Sequence, residues 1–218
     1  MIVRPVHGIN SPESDRMKSD ADKIIDLYDR HAHDYVADRR HGIGNEAAWL
    51  DRFCALLKRG SAVLDIGCGS GTPMAEYLVK QGFAVDGIDS SPTLIALCRE
   101  RFPQRSWRVA DMRGLALDRL FDGLLAWDSL FHLSHDDQRR MFPIFKRHAS
   151  PRAALMFTSG PSHSEAIGSY RGELLYHASL APEEYRALLK ENGFLVVEHV
   201  VEDPDCGGHT VWLAQVEH

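Results

Sequence analysis

The sequence predicts an α/β fold: a doubly wound, seven-stranded, mostly parallel sheet with an antiparallel last strand, in a three-layer sandwich. Three observations lead there. From Ala62 onward, short apolar runs alternate with helical segments, as strands covered on both faces do. The run Val63 to Pro73, VLDIGCGSGTP, joins a buried strand to a glycine turn and the start of a helix. The C-terminus carries two β-branched runs with no room for a helix between them.

The first 17 residues, with Pro5, Gly8, Asn10, Ser11 and Pro12, have no period and read as a loose arm. Helical spacing of Ile24, Ile25, Tyr28, Ala32, Tyr35 and Val36 predicts one helix from about Asp20 to Asp38. A second runs from Glu46 to Lys58 through Ala47, Leu50, Phe53, Leu56 and Leu57, and Gly60 stops it. Residues 18–60 are thus expected to be N-terminal cover helices, and 61–218 the core. Strands are predicted at Ala62–Ile66, Ala84–Ile88, Trp107–Ala110, Gly123–Trp127 and Ala153–Phe157. Ser91 before Pro92 marks a helix start, Ser134 with Asp137 resembles a capping box, and a helix from Pro182 ends at Gly193. Phe194 to Val201 and Thr210 to Val216 should pair as an antiparallel hairpin across DPDCGGH.

Composition narrows the function. The chain has 218 residues, 44% hydrophobic and 26% charged, enough for one domain with a self-sufficient core. Its formal charge of −6 disfavours nucleic acid, whose binders carry a basic excess. No run of about 18 apolar residues suggests a membrane span, and the N-terminus lacks an apolar signal core. Cys54, Cys68, Cys98 and Cys206 are scattered without a C-x-x-C pair, so they read as reduced thiols in a cytoplasmic protein. Neither a disulfide frame nor a metal site is expected.

The chemistry gathers at the carboxyl ends of the strands, where open parallel sheets bind ligands. After the first strand come Asp65 and the turn glycines Gly67, Gly69 and Gly71, spaced G-x-G-x-G where a dinucleotide fingerprint wants G-x-G-x-x-G. After the second, Asp89 and Ser90 stand about 20 residues on, where such folds hold ribose hydroxyls; Asp89 alternatively caps the next helix. The third strand ends at Asp111 and Met112, the fourth at Trp127, Asp128, Ser129 and His132.

Together these residues resemble the class I S-adenosylmethionine-dependent methyltransferases, from about Asp20 to the C-terminus. DIGCGSG matches that family's first motif, and an antiparallel last strand is one of its hallmarks. The resemblance implies S-adenosyl-L-methionine as cofactor. Asp65 with the Gly67-Cys68-Gly69 turn and Gly71 would then hold its methionine end. Asp89 and Ser90 would hold the ribose, and Asp111 with the Met112 backbone the adenine. Tyr28, Tyr35 and Arg39 look like the family's N-terminal cover, and Trp127 would pack on the cofactor edge. A dinucleotide oxidoreductase is the competing Rossmann reading.

The acceptor does not transfer with the family. The D/N-P-P-Y/F motif of certain amino methyltransferases is replaced by AWDS, no Pro-Cys dipeptide supports cytosine C5 chemistry, and the cysteines are not clustered for arsenic. An oxygen or nitrogen of a small molecule is the expected acceptor, with protein or RNA, or binding without catalysis, as alternatives. Methyl transfer needs in-line alignment and a proton sink. His132 is the candidate base with Asp128 orienting it, against a structural histidine and a capping aspartate. Residues 159–181 form a long insertion at the ligand edge, expected to be a lid contributing His163, Tyr170, Arg171 and His177 to the acceptor pocket; a solvated loop with a short helix is the plainer alternative. His209 either folds in at the same edge or sits in a hairpin.

Overall fold

The structure, a computed structural model, describes residues 19–39 and 42–217. The expected N-terminal arm lies outside the described residues. Nine strands alternate with seven helices among those described. The strands are β1 (Ala62–Ile66), β2 (Ala84–Asp89), β3 (Ser106–Val109), β4 (Phe121–Ala126), β5 (Ala149–Ser159), β6 (Ser164–Tyr170), β7 (Glu173–Ser179), β8 (Phe194–Asp203) and β9 (His209–Val216). The helices are α1 (Asp20–Arg30), α2 (Ala32–Asp38), α3 (Ala47–Ala55), α4 (Met74–Lys80), α5 (Pro92–Arg101), α6 (His135–His148) and α7 (Pro182–Glu191).

Seven strands form one sheet in the order β3-β2-β1-β4-β5-β9-β8. β1 to β5 pair in parallel, while β9 runs antiparallel to both β5 and β8. The direction of β8 is therefore that of β5, and its carboxyl end returns to the ligand edge.

Two cores sandwich the sheet. Leu64, Ile66, Leu124, Leu155 and Trp212 of the sheet face Phe142, Phe145 and Tyr185 on one side. Val63, Val85, Leu125 and Met156 face Trp49, Phe53, Leu78 and Ile95 on the other. Alternate residues of one strand feed opposite cores, as the twofold period of a strand requires. Ser91 caps α5 by accepting the Leu94 N–H at 3.1 Å, with Pro92 in the first turn. Ser134 caps α6 through the Asp137 N–H at 3.2 Å.

Three elements depart from the sequence expectation. The first helix breaks at His31 into α1 and α2, so Tyr28 and Tyr35 belong to different helices with rings 5.4 Å apart. α3 is no cover helix: Trp49, Leu50 and Phe53 are buried against the sheet. Gly123 of β4 admits it, since a Cβ there would lie 2.7 Å from Phe53 Cζ and 3.0 Å from Leu57. The insertion at 159–181, expected as a lid, is no solvated loop with a short helix but holds a two-stranded hairpin, β6 and β7, turning at Arg171 and Gly172 with φ of 52° and 83°. Positive φ at both central residues is the two-residue turn that suits strand twist.

Gly123→Ala should destabilise the fold by about 1–3 kcal/mol, because the added methyl overpacks two buried side chains. A lowered urea midpoint with unchanged slope is the expected result; an unchanged midpoint would show that α3 can move away.

Candidate active site

The carboxyl edge of the parallel strands, α1, α2 and the β6–β7 hairpin enclose one cavity of about 590 Å³. Its floor is backbone. Gly67, at φ 78°, approaches the chain after β4 so closely that a Cβ would fall 2.4 Å from Ser129 Cβ. The N–H groups of Gly67 and Cys68 both donate to the Ile88 carbonyl, tying the turn to the end of β2. Asp89 accepts the Gly69 and Ser91 N–H groups, each at 2.9 Å. Each of its oxygens thus has one anchored bond and further accepting capacity toward the cavity.

The roof is held by a small apolar cluster, Ala21 and Ile24 of α1 against Tyr176 and Ala178 of β7, and by polar contacts. Asp29 of α1 accepts the Ser91 hydroxyl at 2.6 Å and the Thr93 N–H at 3.1 Å. Asp38 at the end of α2 accepts Tyr170 Oη at 2.9 Å and Arg171 at 2.8 Å from the hairpin. Glu173 of β7 pairs with Arg30 and His31. Beneath the roof Tyr28, Tyr170, Phe131, His132 and His177 form an aromatic wall, with His132 and His177 ring centres 4.9 Å apart.

Many of the sequence candidates meet here. Tyr28, Tyr35, Arg39, Gly67, Gly69, Asp89, Ser90, Asp111, Met112, Asp128, His132, Tyr170 and His177 all line the cavity. Asp111 differs in detail: both its carboxylate oxygens accept from Arg113, which continues to Asp22 of α1 at 2.5 Å.

Six candidates lie off the wall. Asp65 shares the sheet face of Val63 and is 2% exposed; its Oδ2 has no hydrogen-bond partner. Burial, reinforced by Asp89, pushes its carboxyl up to about 7. The Cys68 thiol turns into the core, where Cys98 also donates to the Gly69 carbonyl, at 3.2 Å. Gly71 packs beneath the turn, nearest Phe102 and Cys98. Trp127 follows the end of β4 into the second core and packs on His209 at 5.4 Å. His163 stacks on His135 at 4.4 Å outside the cavity, and Arg171 is exposed at the hairpin tip, held by Asp38.

His132 is 7% exposed with both ring nitrogens engaged. The Tyr176 carbonyl at 2.9 Å can only accept, so Nδ1 carries the proton, and Nε2 accepts from Tyr28 Oη at 2.9 Å. Burial holds the imidazole neutral, down to about 4, and burial raises the Tyr28 phenol well above its usual value. Its orientation thus comes from Tyr176 and Tyr28, not from Asp128 as expected.

Asp128 sits at φ 48°, a left-handed conformation uncommon outside glycine and asparagine. It accepts Arg39 at 2.7 Å and His209 Nε2 at 3.1 Å, and its N–H donates to Thr158 Oγ1 at 2.8 Å. Burial would raise its carboxyl, but the His209 bond and the charge of Arg39 bring it below the usual range. His209, raised to about 9 chiefly by Asp128, is a cavity-lining residue whose place the sequence left undecided. Its signal was position: GGH follows a strand parallel to β5, at the edge that carries the other clusters.

A cationic methyl donor fits this site. The floor is a cradle that a side chain would fill, and behind it Asp65 keeps a carboxyl oxygen without a partner. Asp89 keeps accepting capacity for hydroxyl groups.

The two histidines make stability depend on pH in opposite ways. His132 has a folded value near 4 against 6.5 unfolded, so its contribution is present above about 6.5 and lost as pH falls toward 4. His209 has a folded value near 9, so its contribution is full below about 6.5 and lost as pH rises through 9. Asp128→Asn, whose amide tolerates the positive φ, should flatten the alkaline decline of the urea midpoint and leave the acid decline intact. An unaltered alkaline limb would contradict the pairing.

Comparison with known proteins agrees with this geometry. Residues 63–152 match a methyltransferase domain family model. The magnesium-protoporphyrin O-methyltransferase of Rhodobacter capsulatus is 34% identical over 107 residues, 47% of this chain and 46% of that protein. The chain spans about half the length of the curated relatives it matches. Magnesium protoporphyrin IX methyltransferase of Synechocystis PCC 6803, solved with S-adenosylmethionine, superposes with a TM-score of 0.71 at 18% identity, covering 94% of this chain and 100% of that one. The 1,6-didemethyltoxoflavin-N1-methyltransferase of Burkholderia thailandensis, solved with its substrate and S-adenosylhomocysteine, gives 0.71 at 19%, covering 97% and 99%. Residues 63–152 thus carry a methyltransferase domain, and the first motif and the sheet order are consistent with a class I S-adenosylmethionine-dependent methyltransferase.

Proposed function

We propose that this protein transfers a methyl group from S-adenosylmethionine to an oxygen or nitrogen atom of a small molecule. The observation that carries the reading is the single roofed cavity, which joins the glycine floor and Asp89 to the Tyr28–His132 pair. A roof of two helices and a hairpin favours a small acceptor over a protein or RNA. The formal charge of −6 also argues against a nucleic-acid partner. Four free cysteines accord with a reducing, cytoplasmic setting, and no helix among the described residues is long and apolar enough to cross a membrane.

S-adenosylmethionine, when bound, supplies a methyl group on a positively charged sulfur, open to in-line displacement. The chain's residues do the rest. Gly67, Gly69, Asp89 and Ser90 fix the floor, and Ile24, Ile25 and Tyr35 close the roof against water. Tyr28 gives its proton to His132 Nε2 and takes one from the acceptor atom. Tyr176 holds Nδ1–H so that Nε2 stays the receiving nitrogen. With His132 near 4 and the Tyr28 phenol raised, this relay does not strip a resting hydroxyl. It operates as the new bond makes the acceptor atom acidic.

Labelled methyl transfer into a fractionated cell extract tests the reading, with label expected among small molecules. Label in RNA or protein would support the macromolecular alternative, and no label at all a binding role. Tyr28→Phe should lower kcat by about 10²- to 10⁴-fold, the range for losing a proton-transfer group, with S-adenosylhomocysteine affinity nearly unchanged. Full turnover in Tyr28→Phe would exclude the relay.

A further inference from the structure

The cavity wall also takes in the turn between β8 and β9, where His209 and Asp128 form a charged corner that the proton relay does not use. His209 reaches it from a turn whose preceding residues, Gly207 and Gly208, have φ of 64° and 81°. Both of its ring nitrogens are committed inside the protein. Nδ1–H donates to the Cys206 carbonyl at 2.7 Å, and Nε2–H donates to Asp128 Oδ1 at 3.1 Å. The ring packs on Trp127 at 5.4 Å. No N–H remains to bind a ligand directly, so His209 acts through Asp128.

We propose that His209 is a positioning residue for the methyl acceptor: it fixes the Asp128 carboxylate at the cavity wall, where that group receives an O–H or N–H of the acceptor molecule. The substrate class that follows is a small molecule with a hydrogen-bond donor next to the atom being methylated. This rests on the methyl-transfer reading and extends it. Asp128 needs such a brace because it sits in a left-handed backbone conformation and is partly buried. Arg39 holds Oδ2, while His209 and a longer bond from the Thr158 hydroxyl at 3.4 Å hold Oδ1, so losing His209 removes the charged partner of Oδ1 and leaves only that long bond. The groups bearing on this pair are Arg39 at the end of α2, Glu46 before α3, and His132 after β4, with Glu202 of β8 lining the same cavity. The imidazolium persists across neutral pH, its value raised to about 9 by Asp128. The corner is therefore an ion pair throughout the working range, not a base waiting to titrate.

The test combines a ligand-free titration with two functional readouts. In protein labelled with ¹⁵N-histidine, His209 should titrate near 9 in the wild type and fall by at least about one unit in Asp128→Asn. His209→Ala should reduce labelled methyl transfer into the small-molecule fraction of an extract by about tenfold or more, while S-adenosylhomocysteine affinity stays within about threefold. His209→Gln, which restores a donor without the charge, should recover part of the rate. A wild-type His209 titrating near 6.5, full transfer by a folded His209→Ala variant, or cofactor affinity falling in step with the rate would each overturn the proposal. If the wild type transfers no label, the methyl-transfer reading fails, while the titration still judges the His209–Asp128 pair.

Discussion

The structure turns on bringing the carboxylates of Asp65, Asp89 and Asp128 to one edge of a parallel sheet, under a roof that excludes water. A buried charge is costly unless it is paired or hydrogen-bonded, and each of the three meets this differently. Asp89 is bonded to the backbone of the glycine turn and of the next helix's start. Asp128 is bonded to two cations, Arg39 and His209, from opposite ends of the sequence. Asp65 has an oxygen without a partner, and its carboxyl is pushed up to about 7. The edge is thus charge-paired at Asp128, hydrogen-bonded at Asp89, where burial still raises the carboxyl, and unpartnered at one oxygen of Asp65.

Arg39 belongs both to the roof and to the charge balance, so the cover is drawn down by the same carboxylates that make the site. Beside a small apolar cluster between α1 and β7, the remaining contacts are polar and partly exposed: Asp29 of α1 with the start of α5, and Asp38 and Glu173 between the helices and the hairpin. Such pairs contribute little each and are screened by salt. Both sheet cores lie apart from the roof, whose own apolar cluster is small: Ala21 and Ile24 of α1 against Tyr176 and Ala178 of β7.

Much of this was legible in the sequence where one residue type has one physical use. Gly67 and Gly69 in the turn, Asp89 at a strand end and Ser91 before Pro92 are local constraints, and the chain obeys them. β1 spans Ala62–Ile66, the range read from its apolar run. What could not be read was direction and partnership. Trp127, one residue beyond β4, goes to the core because the strand's alternation carries it there, and Asp65 follows Val63 for the same reason. The β6–β7 hairpin was obscured because most of its β6 side chains are exposed and show no apolar period, while Arg171-Gly172 is an unusual spelling of a two-residue turn. His163 was misplaced as a consequence. The joint use of His132 by Tyr28 and Tyr176, and of Asp128 by Arg39 and His209, depends on contacts between distant segments, which composition and spacing do not encode.

The most direct measurement is calorimetric titration of the protein with S-adenosylmethionine, S-adenosylhomocysteine and NADH, for the wild type and for Asp89→Asn. This carboxylate edge should bind the sulfonium compound at least as tightly as its neutral-sulfur product and should not bind the dinucleotide. Asp89→Asn should weaken both adenosyl compounds by about tenfold or more, the loss of a charged acceptor for a hydroxyl pair. Binding of NADH without S-adenosylmethionine, or equal affinities in the two proteins, would contradict the account.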